Sequence, residues 1–471
     1  MVRHSALIER PIERLLGRLV ERLTEPVEAL TSRERRLVWI AALAVAATRL
    51  LAVALTPWDW DEALFGLALR DYDVTQFHPH PPGFPLFILA AKGVQLLGPG
   101  EFRALQSVSV VASLFVFPVM FLLGRELRAG FGIAVASAVL LAFFPNVWLY
   151  GGMALSDVPS MVLVMLACAL LLRGCRDVRA FYAGAIVLAV AAGMRPQNLV
   201  IGFVPALLAL FFQWRKHGVR SLAAPFLGAL ILFGSYGAAA FLSGGWTPYR
   251  EVVARHQQYI TSVDSFRAPL RPSLLYVADD FFVRPYRQPA INIALALMVL
   301  AGLATRRRHV VLALLAFGPF CLFAWLVLDF HSAGRFSIGY APLMAVLAAS
   351  APWRRFTVPM IVSAMLFWTW PALTAVRTTA SPPAAAIAAI PPGAVVYVDE
   401  RLGAHLAFLA PQLERHVTGL AVPAATRPNV WLLREGDTIL PNAQVFRRER
   451  VPLARIARER YFEVSLIPAR H

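Results

Sequence analysis

Residues 57–85 read Pro-Trp-Asp-Trp-Asp-Glu-Ala-Leu-Phe-Gly-Leu-Ala-Leu-Arg-Asp-Tyr-Asp-Val-Thr-Gln-Phe-His-Pro-His-Pro-Pro-Gly-Phe-Pro. The stretch sets Asp59, Asp61, Glu62, Asp71 and Asp73, then His78 and His80, directly after an apolar run long enough to cross a bilayer. Carboxylates and imidazoles at the edge of a hydrocarbon slab are costly unless solvated, paired or bound to a ligand. The gathering therefore reads either as an acidic, solvated loop or as a functional site, and the rest of the chain favours the site.

Working outward, the 471 residues are 58% hydrophobic and 15% charged, with a mean hydropathy of +0.61. That composition excludes a string of soluble domains and marks an integral membrane protein. The net charge of +17 raises nucleic-acid binding, but the basic residues sit in short clusters between apolar runs, with no aromatic-interleaved basic patch. No nucleic-acid partner is expected. Cys168, Cys175 and Cys321 have neither disulfide-framework nor metal-like spacing.

Apolar runs at 37–56, 103–123, 131–149, 158–172, 180–194, 198–213, 222–242, 289–304, 309–328, 337–351 and 356–376 predict about eleven membrane-spanning helices. Basic groups fall on alternate connections: Arg33, Arg35 and Arg36, then Arg125 and Arg128, Arg173, Arg176 and Arg179, Arg215, Lys216 and Arg220, Arg306 to Arg308, and Arg354 and Arg355. The positive-inside rule makes that side the cytoplasm. Residues 1–36 predict a cytoplasmic amphipathic segment, with Ile8, Ile12, Leu15, Leu16, Leu19 and Leu23 at helical spacing. Residues 37–376 form the membrane domain, with outer loops at 57–102 and 243–288, the latter too long for a plain connection. Residues 377–471 predict a small extracytoplasmic α/β domain, with strand-like runs at 394–398, 430–433 and 461–467 and a helix at 402–409. The fold class is thus an all-α polytopic membrane protein with that α/β addition.

The side opposite the arginine clusters collects the acidic stretch, Ser156 and Asp157, the turn Arg195-Pro196-Gln197-Asn198, and Asp329 to Arg335 with His331. One face of anchors and one of acids, histidines and aromatics is a chain polarised for chemistry on the outer face. Sugar transfer from a lipid phosphate needs one carboxylate to take the acceptor's proton, because the phosphate leaves as an anion. Asp61 or Glu62 is placed for that work, while one of the two also suits a helix cap. Arg195 and Arg335 are candidates to hold the phosphate. His78, His80, Asp157 and His331 are further candidates for substrate binding, and Glu62, His80 and Asp157 for a divalent metal.

The ordered set resembles the GT-C superfamily of integral membrane glycosyltransferases, in particular the protein O-mannosyltransferase and aminoarabinose transferase group. The resemblance is carried by Asp61-Glu62 after the first span, His80-Pro81-Pro82-Gly83, Asp157 in the next outer loop, and Arg335-Phe336 with Pro342, where Phe336 replaces a common tyrosine. It covers roughly residues 37–350. The resemblance implies a mannosyltransferase-like, inverting transfer from a polyprenyl-phosphate sugar to a glycan, lipid or protein acceptor at the extracytoplasmic face of the inner membrane, with Asp61 as base. The rival expectation is a transporter or flippase of lipid-linked sugars, which usually places ionisable groups near mid-membrane within paired repeats.

Overall fold

The computed structural model describes residues 23–286, 288–417, 429–436, 444–447 and 463–468. Most of the expected N-terminal amphipathic segment, residues 1–22, lies outside the described residues. What is described of it runs back along the bundle, where Arg128 donates to the carbonyls of Leu23, Glu25 and Pro26.

The chain opens with α1 (Ser32–Arg49), whose start is fixed by a reciprocal cap between Thr31 and Glu34. Next come α2 (Trp60–Arg70), α3 (Pro85–Gln95), α4 (Glu101–Leu114), α5 (Val116–Glu126), α6 (Phe131–Phe143) and α7 (Pro145–Tyr150). The bundle continues through α8 (Asp157–Gly174), α9 (Val178–Met194), α10 (Asn198–His217), α11 (Ala223–Leu242), α12 (Trp246–Tyr259) and α13 (Leu274–Ala278). It closes with α14 (Pro289–Ala304), α15 (Arg308–Val327), α16 (Ala333–Phe336), α17 (Ala341–Ala349) and α18 (Arg354–Thr378).

The expected spans fall on helical residues, but length and apolarity do not reach the expected eleven. Among the described residues, four helical stretches are long and apolar enough to cross a membrane: Asp157–Gly174, Asn198–Leu242, Arg308–Val327 and Arg354–Ala388. The pair α4 and α5, bent by 44°, makes a fifth if it is one span. Phe131–Phe143, Val178–Met194 and Pro289–Ala304 are shorter apolar helices. Others of the expected runs are broken by turns, as at Phe144-Pro145, where proline forces its predecessor out of the helical region. The first expected span also contains Arg49, which is buried with its guanidinium over the Phe143 and Trp148 rings.

Beyond α18 lie α19 (Pro382–Ala388), β1 (Val395–Val398), α20 (Glu400–Leu409), β2 (Glu414–Val417), β3 (Val430–Glu435), β4 (Gln444–Arg447) and β5 (Glu463–Pro468). The strands form one mixed sheet in the order β2-β1-β3-β5-β4. β1 runs parallel to β2 and β3, while β5 runs antiparallel to β3 and β4. Val396 and Val398 point to one buried face, as a period of two requires, and meet Leu402 and Leu406 of α20. The strand and helix expectations at 394–398, 402–409 and 430–433 are matched, that at 461–467 is matched from Glu463 onward with 461–462 outside the described residues, and β2 and β4 complete the described sheet.

This unit sits on α2. Phe408 of α20 packs with Ala63, Leu64 and Leu67, and its ring lies where a side chain on Gly66 would be. Trp60, the first residue of α2, packs against both this cluster and the core beneath the sheet.

Candidate active site

The local fold of residues 57–85 is set by polar groups that satisfy the backbone. Asp59 caps α2 by accepting from the Asp61 amide at 2.9 Å. Glu62 completes a capping box by accepting from Asp59 N at 2.8 Å, and it also accepts from Trp58 N at 2.6 Å. Its other oxygen accepts from Ala154 N at 2.7 Å. Glu62 thereby ties the start of α2 to the segment that leads into α8, and so brings Asp61 beside Asp157. Gly152 makes this approach possible, because a Cβ there would run into the Ala52 backbone.

A second set of bonds fixes the histidine-proline turn. The Tyr72 hydroxyl donates to Gly83 O at 2.8 Å, and Gly83 adopts φ +110°, a region open to glycine. The Tyr249 hydroxyl donates to Pro82 O at 2.9 Å, and Val74 N donates to Ser243 Oγ at 3.0 Å. The turn is therefore held by the end of α11 and by α12. His80 is partly buried among Trp60, Phe65 and Phe84, with its Nδ1 3.4 Å from Asp61 Oδ1.

The third wall comes from far along the chain. Asn146 in α7 donates to Gly334 O and to Ser337 Oγ, each at 2.8 Å, and accepts from the Tyr286 hydroxyl at 2.9 Å. This buried network positions α16 and aims Arg335 at three carboxylates. Its Nε donates to Asp157 Oδ2 at 3.0 Å and its Nη1 to Asp59 Oδ1 at 3.1 Å, while Nη2 lies 2.6 Å from Asp61 Oδ2. Arg195, at the end of α9, pairs with Asp157. The rigid guanidinium fork is what lets one side chain serve three acids.

The cluster opens on a cavity of about 430 Å³, within the ordinary range for small-molecule sites. Asp59, Trp60, Asp61, His80, Arg195, His331 and Arg335 line it, together with Tyr259 and His256 of α12 and Arg401 of α20. A smaller chamber of about 30 Å³ lies behind, bordered by Asp157, Ser160, Arg195, Gln197 and Arg335.

Burial works to raise the Asp61 carboxyl, but His80 and the Arg335 and Arg195 charges hold it down at about 2. Burial pushes His80 down to about 4 against the pull of Asp61. The state that this geometry supports near neutral pH is an ionised Asp61, a neutral imidazole and Arg335 as the counter-charge. Asp59 moves the other way: burial raises it, against the Arg335 charge. Burial also pushes Glu62 up to about 7, despite its three amide donors.

Of the residues singled out in the sequence, Asp61, His80, Arg195, His331 and Arg335 meet at the large cavity, and Asp157 stands directly behind it. Two do not. Glu62 is fully buried against backbone amides and does not line the cavity, so it holds the frame at the start of α2. His78 also lies off the cavity lining, and its backbone exchanges two hydrogen bonds with Asp73. The metal candidates Glu62, His80 and Asp157 do not converge: Glu62 faces amides and Asp157 faces two arginines. Among the described residues no three His, Cys, Asp or Glu side chains gather as a metal site.

Asp59 and Asp329 were named among the outer acids without a role at the site, and His256, Asp264 and Arg401 were not candidates, yet all line the cavity. Asp59 carried a signal, since an acid three residues before Glu62 makes a capping pair. Arg401 carried none.

Residues 79–236 match the family described as dolichyl-phosphate-mannose-protein mannosyltransferase. The resemblance to the GT-C group therefore holds. No curated protein sequence matches the chain. Among solved structures, it is similar to ArnT from Cupriavidus metallidurans bound to undecaprenyl phosphate, with TM-score 0.59 and 14% identity over 93% of this chain and 98% of that one. The same protein in the apo state gives TM-score 0.55 and 13% identity with the same coverage. Over nearly its whole length the chain shares the fold of these ArnT structures, with helices long and apolar enough to cross a membrane and a small sheet towards its C-terminal end.

Proposed function

We propose that the chain is a membrane glycosyltransferase that moves a sugar from a polyprenyl-phosphate-linked donor to an acceptor hydroxyl, with inversion, at the extracytoplasmic face. The observation that carries this reading is one cavity that holds Asp61 within reach of Arg335, with Arg195 beside it. The match of residues 79–236 to a family of lipid-phosphate-dependent mannosyltransferases supports the donor class.

In this mechanism the acceptor oxygen attacks the anomeric carbon as Asp61 takes the hydroxyl proton. The bond from that carbon to the phosphate oxygen breaks, and the phosphate keeps the electron pair. Arg335 and Arg195 offset the charge that develops on the phosphate, in a site where burial strengthens the attraction. A single displacement inverts the anomeric centre. His80 orients Asp61 through their contact, and the aromatic wall around it excludes water.

The test is sugar transfer by the purified protein from a panel of polyprenyl-phosphate sugars, with Asp61→Asn compared at equal folded yield. A fall of about a hundredfold or more supports Asp61 as the general base. Undiminished transfer by the variant removes Asp61 from that role, and no transfer from any donor by the parent refutes the enzyme reading.

A further inference from the structure

The buried cluster carries more negative than positive charge. Asp59, Asp61 and Asp157 face Arg195 and Arg335, so three acids share two guanidinium groups, and the Arg335 contact is what holds a charge on Asp59 against its burial. His80 adds no charge near neutral pH. A donor phosphate entering this cluster as it stands would add a further anion to a site already short of cations, which costs free energy in a low-dielectric cavity. One carboxylate has to yield.

The three are not equally held. Asp157 is paired with both Arg195 and Arg335, and its side chain is 4% exposed. Asp61 has Arg335 at 2.6 Å and His80 behind it, and is 12% exposed. Asp59 has the longest of the three contacts with Arg335, 3.1 Å, is 20% exposed, and lines the cavity. Arg335 is its one ion-pair partner among the described residues. The same oxygen, Oδ1, also accepts from the Asp61 amide, a bond that needs an oxygen but not a charge and that can keep Oδ1 at the cap when Arg335 turns to another anion.

We infer that the Asp59 carboxylate is a place-holder on Arg335, displaced when the donor's phosphate binds to Nη1 of that guanidinium. The inference rests on the donor reading proposed above and assigns a role to a residue outside the base and the phosphate-binding arginines. With Asp59 displaced, Arg335 turns its open edge to the phosphate while Asp157 keeps hold of Nε. Once the sugar has left, the polyprenyl phosphate remains, and the return of Asp59 to Arg335 competes with it and favours its release. Asp59 is then a positioning residue that acts through Arg335.

The inference makes an unusual demand: removing a carboxylate from the site should tighten the binding of an anion. Asparagine and serine both retain an N-cap acceptor, so Asp59→Asn and Asp59→Ser remove the charge and keep the start of α2. Binding of undecaprenyl phosphate to the detergent-purified parent and to both variants is measured at low and at high salt, with thermal unfolding recorded alongside. Both variants are expected to bind at least threefold more tightly than the parent at low salt, with a smaller gain at high salt. They are also expected to turn over more slowly at saturating donor, because product release loses its competitor. Weaker or unchanged binding by variants that melt like the parent overturns the place-holder role while leaving the donor reading intact. Failure of the parent and both variants to bind undecaprenyl phosphate overturns the donor reading, and the place-holder role with it.

Discussion

Arg335 Nη2 lies 2.6 Å from Asp61 Oδ2, and the same guanidinium holds Asp157 through Nε. The contact joins α16 to the first turn of α2, so a single side chain aligns the carboxylate proposed as base with the cation proposed for the leaving phosphate. Lysine cannot reproduce a three-way fork. Arg335→Lys is expected to lower transfer by on the order of a hundredfold, the scale of losing one oriented charge donor. Arg335→Ala should in addition destabilise the fold by roughly 3–5 kcal/mol, because it leaves buried carboxylates uncompensated. Transfer assays paired with thermal unfolding in detergent separate the two effects.

Glu62 makes the opposite demand. Its folded-state carboxyl is raised to about 7 from an ordinary value of 4.5. Its stabilising contribution is therefore full below pH 4.5 and is lost as pH rises through about 7. Glu62→Gln should remove this slope from the pH dependence of the melting temperature. It should also cost roughly 1–3 kcal/mol, because an amide NH₂ would then face backbone N–H donors. A variant that melts like the parent across that window would show that the three amide contacts are not made.

The pH profile of transfer discriminates between candidate bases. Asp61, held at about 2, stays ionised until the pH falls through that value, so kcat/KM should show no acid limb from it in the mildly acidic range. Asp264 at the cavity rim is pushed up to about 6 by burial and by Asp329. Should a limb appear near pH 6, Asp264→Asn would abolish it if the rim carboxylate is its source. A limb that survives in Asp264→Asn but is lost in Glu62→Gln belongs to Glu62, and one that survives in both variants counts against Asp61 as the base.

Gly83→Ala tests the turn that presents His80. The residue adopts φ +110°, and a Cβ would stand 2.5 Å from the Tyr72 hydroxyl. The substitution is expected to destabilise by roughly 1–3 kcal/mol, the cost of a strained left-handed residue, and to lower transfer more than Tyr72→Phe does. Tyr72→Phe loses one hydrogen bond, worth about 1 kcal/mol. Equal activity of the parent and Gly83→Ala would show that the turn is not needed to place the imidazole.

The sheet unit is expected to support α2 directly. Phe408→Ala removes a buried ring from the contact with Ala63, Leu64 and Leu67, at a cost of roughly 3–5 kcal/mol. Limited proteolysis should then cut between α18 and β1 sooner than in the parent, with transfer reduced in parallel. Unchanged proteolysis would show that the unit is held by other contacts.

Composition and spacing by themselves determined a helical membrane protein. Apolar runs, prolines and flanking arginines are local signals, and a helix satisfies its backbone locally whatever packs around it. The strands at 395–398 and 430–435 were legible for the same reason, since their β-branched and apolar residues state a preference before any partner is chosen. Asp61, Asp157, Arg195 and Arg335 were legible as candidates because charge beside apolar runs is costly and so is seldom idle.

Only the tertiary structure decided what those residues do to one another. Glu62 differs from Asp61 by one position, yet a helix turns its neighbours to different sides, and the amides of Trp58, Asp59 and Ala154 claimed one while the cavity kept the other. Asp59 reaches Arg335 across 276 positions, and Arg401 arrives at the cavity on a helix of the sheet unit. Such contacts depend on how the elements pack, and the pattern of any one segment holds no record of its partner.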